Sequence, residues 1–167
     1  KVKLTSSGDY IIAGKTASFG AGDEDCFLIK MNSAGNIIWA KTYGTSSIEE
    51  CSNMVLLPSG EIILVGTNWG AEGLCIKTDS NGNLLLSKLY GASSSSEKFF
   101  GVDKTFDGGL IFSGYTIDYM FSNWDDIYVV KTDQNGNSGC FESPISLTTS
   151  LVSFPATSPL TSISSYS

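Results

Sequence analysis

Histidine and arginine are both missing from this sequence: its 10 basic residues are all lysine, set against 17 acidic residues for a net charge of −7. Without histidine the commonest general base and the commonest transition-metal ligand are gone. Ser-His and Cys-His nucleophile pairs are excluded with it. A chain this acidic and free of arginine lacks the basic surface that grips phosphates or reads guanine, so no nucleic acid partner is expected. No run of 18 apolar residues occurs, which excludes a membrane-spanning helix. The four cysteines, Cys26, Cys51, Cys75 and Cys140, show no CxxC pairing, which argues against structural zinc. Buried thiols are the plain expectation for them, and one disulfide is open to them in an oxidising compartment, with its pairing undetermined. No helical period of useful length is found, so no glycine-rich phosphate loop opens a helix, and neither a metal nor a cofactor is expected. Hydrolysis of glycans by paired carboxylates is the catalytic chemistry left, since it needs only two acids at the right separation.

What the chain does have is repetition. "KTDSNGN" (77–83) returns as "KTDQNGN" (131–137), with a weaker copy in "KMNSAGN" (30–36). In step with it run "SGDYIIAG" (7–14), "SGEIILVG" (59–66) and "DGGLIFSG" (107–114), while "KTYG" (41–44) and "KLYG" (88–91) close the first two units. Three motifs interlocked at a period of about 50 residues mark an internal repeat in the range of propeller blades such as kelch. Within a unit, "YIIAG" and "EIILVG" read as short buried strands. "CFLIK" (26–30), "LCIK" (74–77) and "IYVVK" (127–131) form the next strand, and "NIIWAKTY" (36–43) or "NLLLSKLY" (83–90) leads back. A fourth strand lies in "KVKL" (1–4), "CSNMVLL" (51–57) and "KFFGVDKT" (98–105). The expected fold is therefore all-β: three four-stranded, propeller-like blades at about 1–44, 45–91 and 92–142, followed by a separate segment, 143–167. Typical propellers close with about 4–8 blades, so three imply a partial ring or one completed between molecules. The start at Lys1, with no initiator Met or signal peptide, favours a processed or partial chain.

The Asp-x-Asn-Gly-Asn run resembles part of a calcium loop, but Asn-Gly between two β-rich runs is a strong hairpin signal. Calcium needs more oxygen ligands than this loop supplies before it ends, and Ala34 replaces the middle one in the first copy. Tight turns are expected, with Gly35, Gly82 and Gly136 at positive φ.

The stretch "GDYIIAGKTASFGAGDEDCFLIKMNSAGNIIWAKTYG" (8–44) resembles the kelch-like propeller repeats of secreted and surface proteins of bacteria, particularly Bacteroidetes-like ones. The second unit is close, with Leu86 where the pattern has Trp, and the third ends in "GNSGCFE" (136–142), like a degenerate last repeat. The resemblance covers residues 1–142. It implies secretion or surface display and a propeller-like fold. It further implies a binding, adhesion or scaffolding role toward protein or carbohydrate, without a reaction.

Two sets of residues are candidates for binding. An acid recurs at the start of the same strand in every unit, as Asp25, Glu72 and Asp126. Such a ring suits a cation or a sugar, but short polar side chains more often cap their own loop, and capping is the expected role. Aromatics recur in the variable loops after the "YIIAG"-type strand motif and before the "CFLIK"-type one: Phe19, Trp69, Tyr119, Phe121 and Trp124. Grafted function usually sits in such loops; filling gaps between blades is the other role open to large aromatics. The segment after Glu142 is rich in Ser and Thr and punctuated by Pro144, Pro155 and Pro159, as in linkers. Its Ile145, Leu147, Leu151, Val152, Phe154, Leu160 and Ile163 suit packing instead, with residues 145–163 on a sheet edge or on another subunit. The reading from sequence is a non-enzymatic extracellular binding module, against a structural subunit of a polymer joined through the tail and a glycan hydrolase with loop carboxylates.

Overall fold

The computed structural model describes residues 1–69, 72–92, 95–118 and 124–154. These residues form strands and turns without a helix, in three antiparallel sheets, none closed on itself. The first repeat forms β1 (Val2–Leu4), β2 (Tyr10–Thr16), β3 (Asp25–Met31) and β4 (Ile37–Gly44). The second forms β5 (Glu49–Leu56), β6 (Ile62–Asn68), β7 (Glu72–Thr78) and β8 (Leu84–Tyr90), and the third β9 (Ser95–Lys104), β10 (Leu110–Asp118) and β11 (Asp125–Thr132). Two short strands follow, β12 (Glu142–Pro144) and β13 (Thr148–Leu151).

The expected strand count per sheet is corrected. β13 pairs with β4 and β12 with β8, so sheets 1 and 2 have five strands each, while sheet 3, ordered β11-β10-β9, has three. The reason lies in the third return segment. "GNSGCFE" has no apolar alternation and places Gly139 at positive φ, so it does not run back along β11. The chain crosses instead to β8, where the Gly91 N–H donates to Phe141 O.

The continuous apolar runs are explained by burial on both faces. Ile62 and Leu64 of β6 point into one core with Ile11, Leu28 and Tyr43 of sheet 1. Their neighbours Ile63 and Val65 point into a second core with Phe99, Leu110, Phe112 and Val130 of sheet 3. Sheet 2 is thus packed between the other two, and each such side chain contributes about 1.5–3 kcal/mol by leaving water.

The repeated Asn-Gly segments are turns. Asp79 Oδ1 accepts the N–H groups of Asn81 and Asn83 at 2.8 Å, Asp133 Oδ1 does the same for Asn135 and Asn137, and Asn32 serves Ala34 and Asn36. Gly35, Gly82 and Gly136 have φ of 84°, 72° and 72°. The Lys-x-Tyr-Gly motif latches each sheet to the next one's turn. Tyr43 O–H donates to Gly82 O at 2.7 Å and Tyr90 O–H to Gly136 O at 2.6 Å. Lys41 and Lys88 reach the side-chain oxygens of Asn83 and Asn137.

The described tail is ordered against the chain's own edges. Ile145 and Leu147 pack on the first core, and the Val152 N–H donates to Ala40 O at 2.9 Å. The expectation of buried thiols is corrected for three of the four cysteines. Cys26 and Cys51 form a disulfide joining β3 to β5 and Cys140 is exposed in a bend, while Cys75 is a buried thiol.

Candidate functional site

Antiparallel order puts the β2–β3, β6–β7 and β10–β11 loops at one end of the three sheets, beside the segments that carry the chain from sheet to sheet. The Asn-Gly turns lie at the other end. The sequence candidates among the described residues therefore share an end, but their environments differ.

Asp25 is fully buried at the start of β3. Its Oδ2 accepts the Ala21 N–H at 2.8 Å and the Gly22 N–H at 3.4 Å, which is the capping role. Its Oδ1 has no hydrogen-bond partner among the described residues and sits 1.4 Å from where a Cβ on Gly44 would be. Glu49 Oε2 lies 2.9 Å from the same point. Glu49 is also fully buried, and its carboxylate accepts from the Thr45 N–H, the Thr45 hydroxyl and the Asn68 amide. Two carboxylates thus face each other across the junction of sheets 1 and 2, and Gly44 makes room for them.

At the next junction Glu97 and Gly91 stand where Glu49 and Gly44 do, and Glu97 is close enough for its charge to act on Glu72. Buried Glu97 accepts hydrogen bonds from the hydroxyls of Ser95 and Thr116. Its Oε2 has no partner among the described residues and lies 2.0 Å from where a Cβ on Gly91 would be. Glu72 is half-buried, and burial, then the charge of Glu97, raises its pKa above the ordinary glutamate value. Asp126 is exposed opposite Thr116, because among the described residues no fourth sheet covers it. The three acids are therefore not one equivalent ring. Sequence reasoning missed Glu49 and Glu97, whose signal was a glutamate shortly after each Tyr-Gly, in "YGTSSIE" and "YGASSSSE".

Outside this layer Glu50 binds the lysines of both neighbouring sheets, Lys15 and Lys98, at 2.7 Å each. Both ion pairs lower its pKa.

Trp69 and Trp124 are 73% and 77% exposed, so neither fills a gap between sheets. The Trp69 N–H donates to Ile48 O, which fixes the loop backbone beneath the indole. Phe19 packs edge-on against Phe154 of the tail, with ring centroids 5.9 Å apart, over an apolar recess lined by Phe27, Ile29 and Val152. Tyr119, Phe121, Leu160 and Ile163 lie outside the described residues. No helix among the described residues is long and apolar enough to cross a membrane, and no cluster of three or more metal-ligating side chains occurs among them.

The fold and site define an all-β protein of three consecutive antiparallel sheets that carries acids and indoles on one end. No protein-family model and no curated protein matches the sequence.

Proposed function

We propose that this protein is a non-enzymatic extracellular binding module of propeller-like blades. In this reading it is kin to secreted bacterial repeat proteins and attaches to carbohydrate or protein at a cell surface as an adhesion or scaffolding unit. The observation that carries the reading is the exposure of Trp69 and Trp124 at the loop end. Large indoles are seldom left in water without use, and an aromatic face beside acids suits the apolar and hydroxyl faces of a sugar. The Cys26–Cys51 disulfide supports an oxidising compartment, because such bridges do not persist in a reducing cytosol. Three repeat units stacked through two cores support the propeller-like reading.

A glycan array probed with the protein, followed by Trp69→Ala and Trp124→Ala, tests the proposal. Each substitution is expected to weaken binding about tenfold or more, equivalent to about 1.4 kcal/mol. Binding that is indifferent to both indoles, or release of cleaved sugar, defeats it.

A further inference from the structure

β11 is the outer strand of sheet 3, and among the described residues nothing pairs with its outer edge. Its repeat equivalents β3 and β7 are each covered, first by β4 or β8 and then by a strand of the tail. The side chains directed away from sheet 2 are apolar and open: Ile127 is 89% exposed and Val129 56%. At the position equivalent to Val129, Leu28 and Cys75 are fully buried against the next sheet in the stack, so this face of sheet 3 is open as well as its edge. A row of unpaired backbone groups flanked by apolar side chains is a template for strand addition.

The strand that fits this edge is written twice in the chain, as "NIIWAKTYG" and "NLLLSKLYG". Both copies pair in one register. Lys30 faces Trp39, Leu28 faces Lys41 and Cys26 faces Tyr43, while Lys77 faces Leu86, Cys75 faces Lys88 and Gly73 faces Tyr90. Carried to sheet 3, that register sets Trp or Leu opposite Lys131, Lys opposite Val129 and Tyr opposite Ile127.

We propose that the β11 edge is a strand-acceptor site for an extended segment of this pattern (two apolar residues, Trp or Leu, a small residue, Lys, any residue, Tyr, Gly) supplied by another polypeptide. A second copy of this chain is the poorer donor, because both of its own strands of this pattern are committed. Tyr43 and Tyr90 are latched to Gly82 and Gly136, and the outer edges of β4 and β8 are occupied by the tail. Releasing either strand dismantles a sheet. The site is independent of the indole end, and its failure does not bear on that reading.

The probe is a labelled synthetic peptide of residues 83–91, titrated with the whole protein and followed by polarisation and by amide exchange. Saturable binding that slows exchange of β11 amides is expected. A peptide carrying Lys88→Pro is expected to lose about tenfold or more in affinity, since proline cannot donate to the ladder. In the protein, Ile127→Lys on this exposed position is expected to weaken binding without changing the melting temperature, and Trp69→Ala to leave binding unchanged. Absence of binding, equal binding of the proline peptide, or protection confined to other strands overturns the proposal. So does self-association of the chain that Ile127→Lys abolishes, since the occupant is then a second copy.

Discussion

Gly35 and Gly82 occupy the same turn position with nearly the same backbone, yet their surroundings differ. A Cβ on Gly35 meets nothing within 4 Å, whereas one on Gly82 meets the Trp39 ring and the Tyr43 hydroxyl, each at 2.9 Å. Gly35→Ala is expected to cost only the positive-φ penalty, about 1–2 kcal/mol. Gly82→Ala adds overpacking of about 1–3 kcal/mol and disturbs the Tyr43 latch. Denaturant midpoints of the two variants check the order, and equal losses contradict the latch. Glu72 supplies the pH dependence at this scale. Its pKa is raised in the folded protein, so the folded state holds the proton more tightly than the unfolded one. Stability is then lost as pH rises through that raised value, and ionised Glu72 is a cost at neutral pH. Glu72→Gln is expected to raise the melting temperature at pH 7, with the gain fading below about pH 4, the ordinary glutamate range. Melting curves at the two pH values decide it.

At the scale of elements, what joins neighbouring sheets matters more than what joins strands within one. The Cys26–Cys51 bridge ties β3 to β5 across the first core, close to the buried Asp25–Glu49 pair. The bridge limits how far sheets 1 and 2 can part at this junction. Reduction, or Cys26→Ala with Cys51→Ala, is expected to lower unfolding stability by about 2–4 kcal/mol. Denaturant unfolding with and without reductant measures the difference, and coincident curves exclude a structural role for the bridge.

For the whole molecule, position in the stack decides what a repeated residue contributes. Ile63 and Ile111 are equivalent in the repeat, but Ile63 is covered by sheet 3 while Ile111 is 38% exposed on the stack's last face. Ile63→Ala is expected to cost about 2–5 kcal/mol, as for buried aliphatic truncations. Ile111→Ala should stay within about 1 kcal/mol, as for surface changes. Matched unfolding curves separate the two, and a large loss at Ile111 shows that its face is covered in solution.

The sequence by itself determined the local structure of this protein. Alternation and β-branched runs specify the strands, Asn-Gly specifies the turns, and the period specifies three units, because each depends on neighbours along the chain. Even the exposed loop indoles were legible in kind, since Trp69 and Trp124 stand where strands give way to variable segments. Only the tertiary structure decided that Asp25 is capped and buried while Asp126 is open, because their burial depends on whether another sheet covers the junction. It alone paired Cys26 with Cys51, brought Glu49 against Asp25 and Glu97 within electrostatic reach of Glu72, and laid the tail on β4 and β8. Those contacts join residues far apart in the chain. Their energy comes from surfaces that exist only once the sheets have stacked.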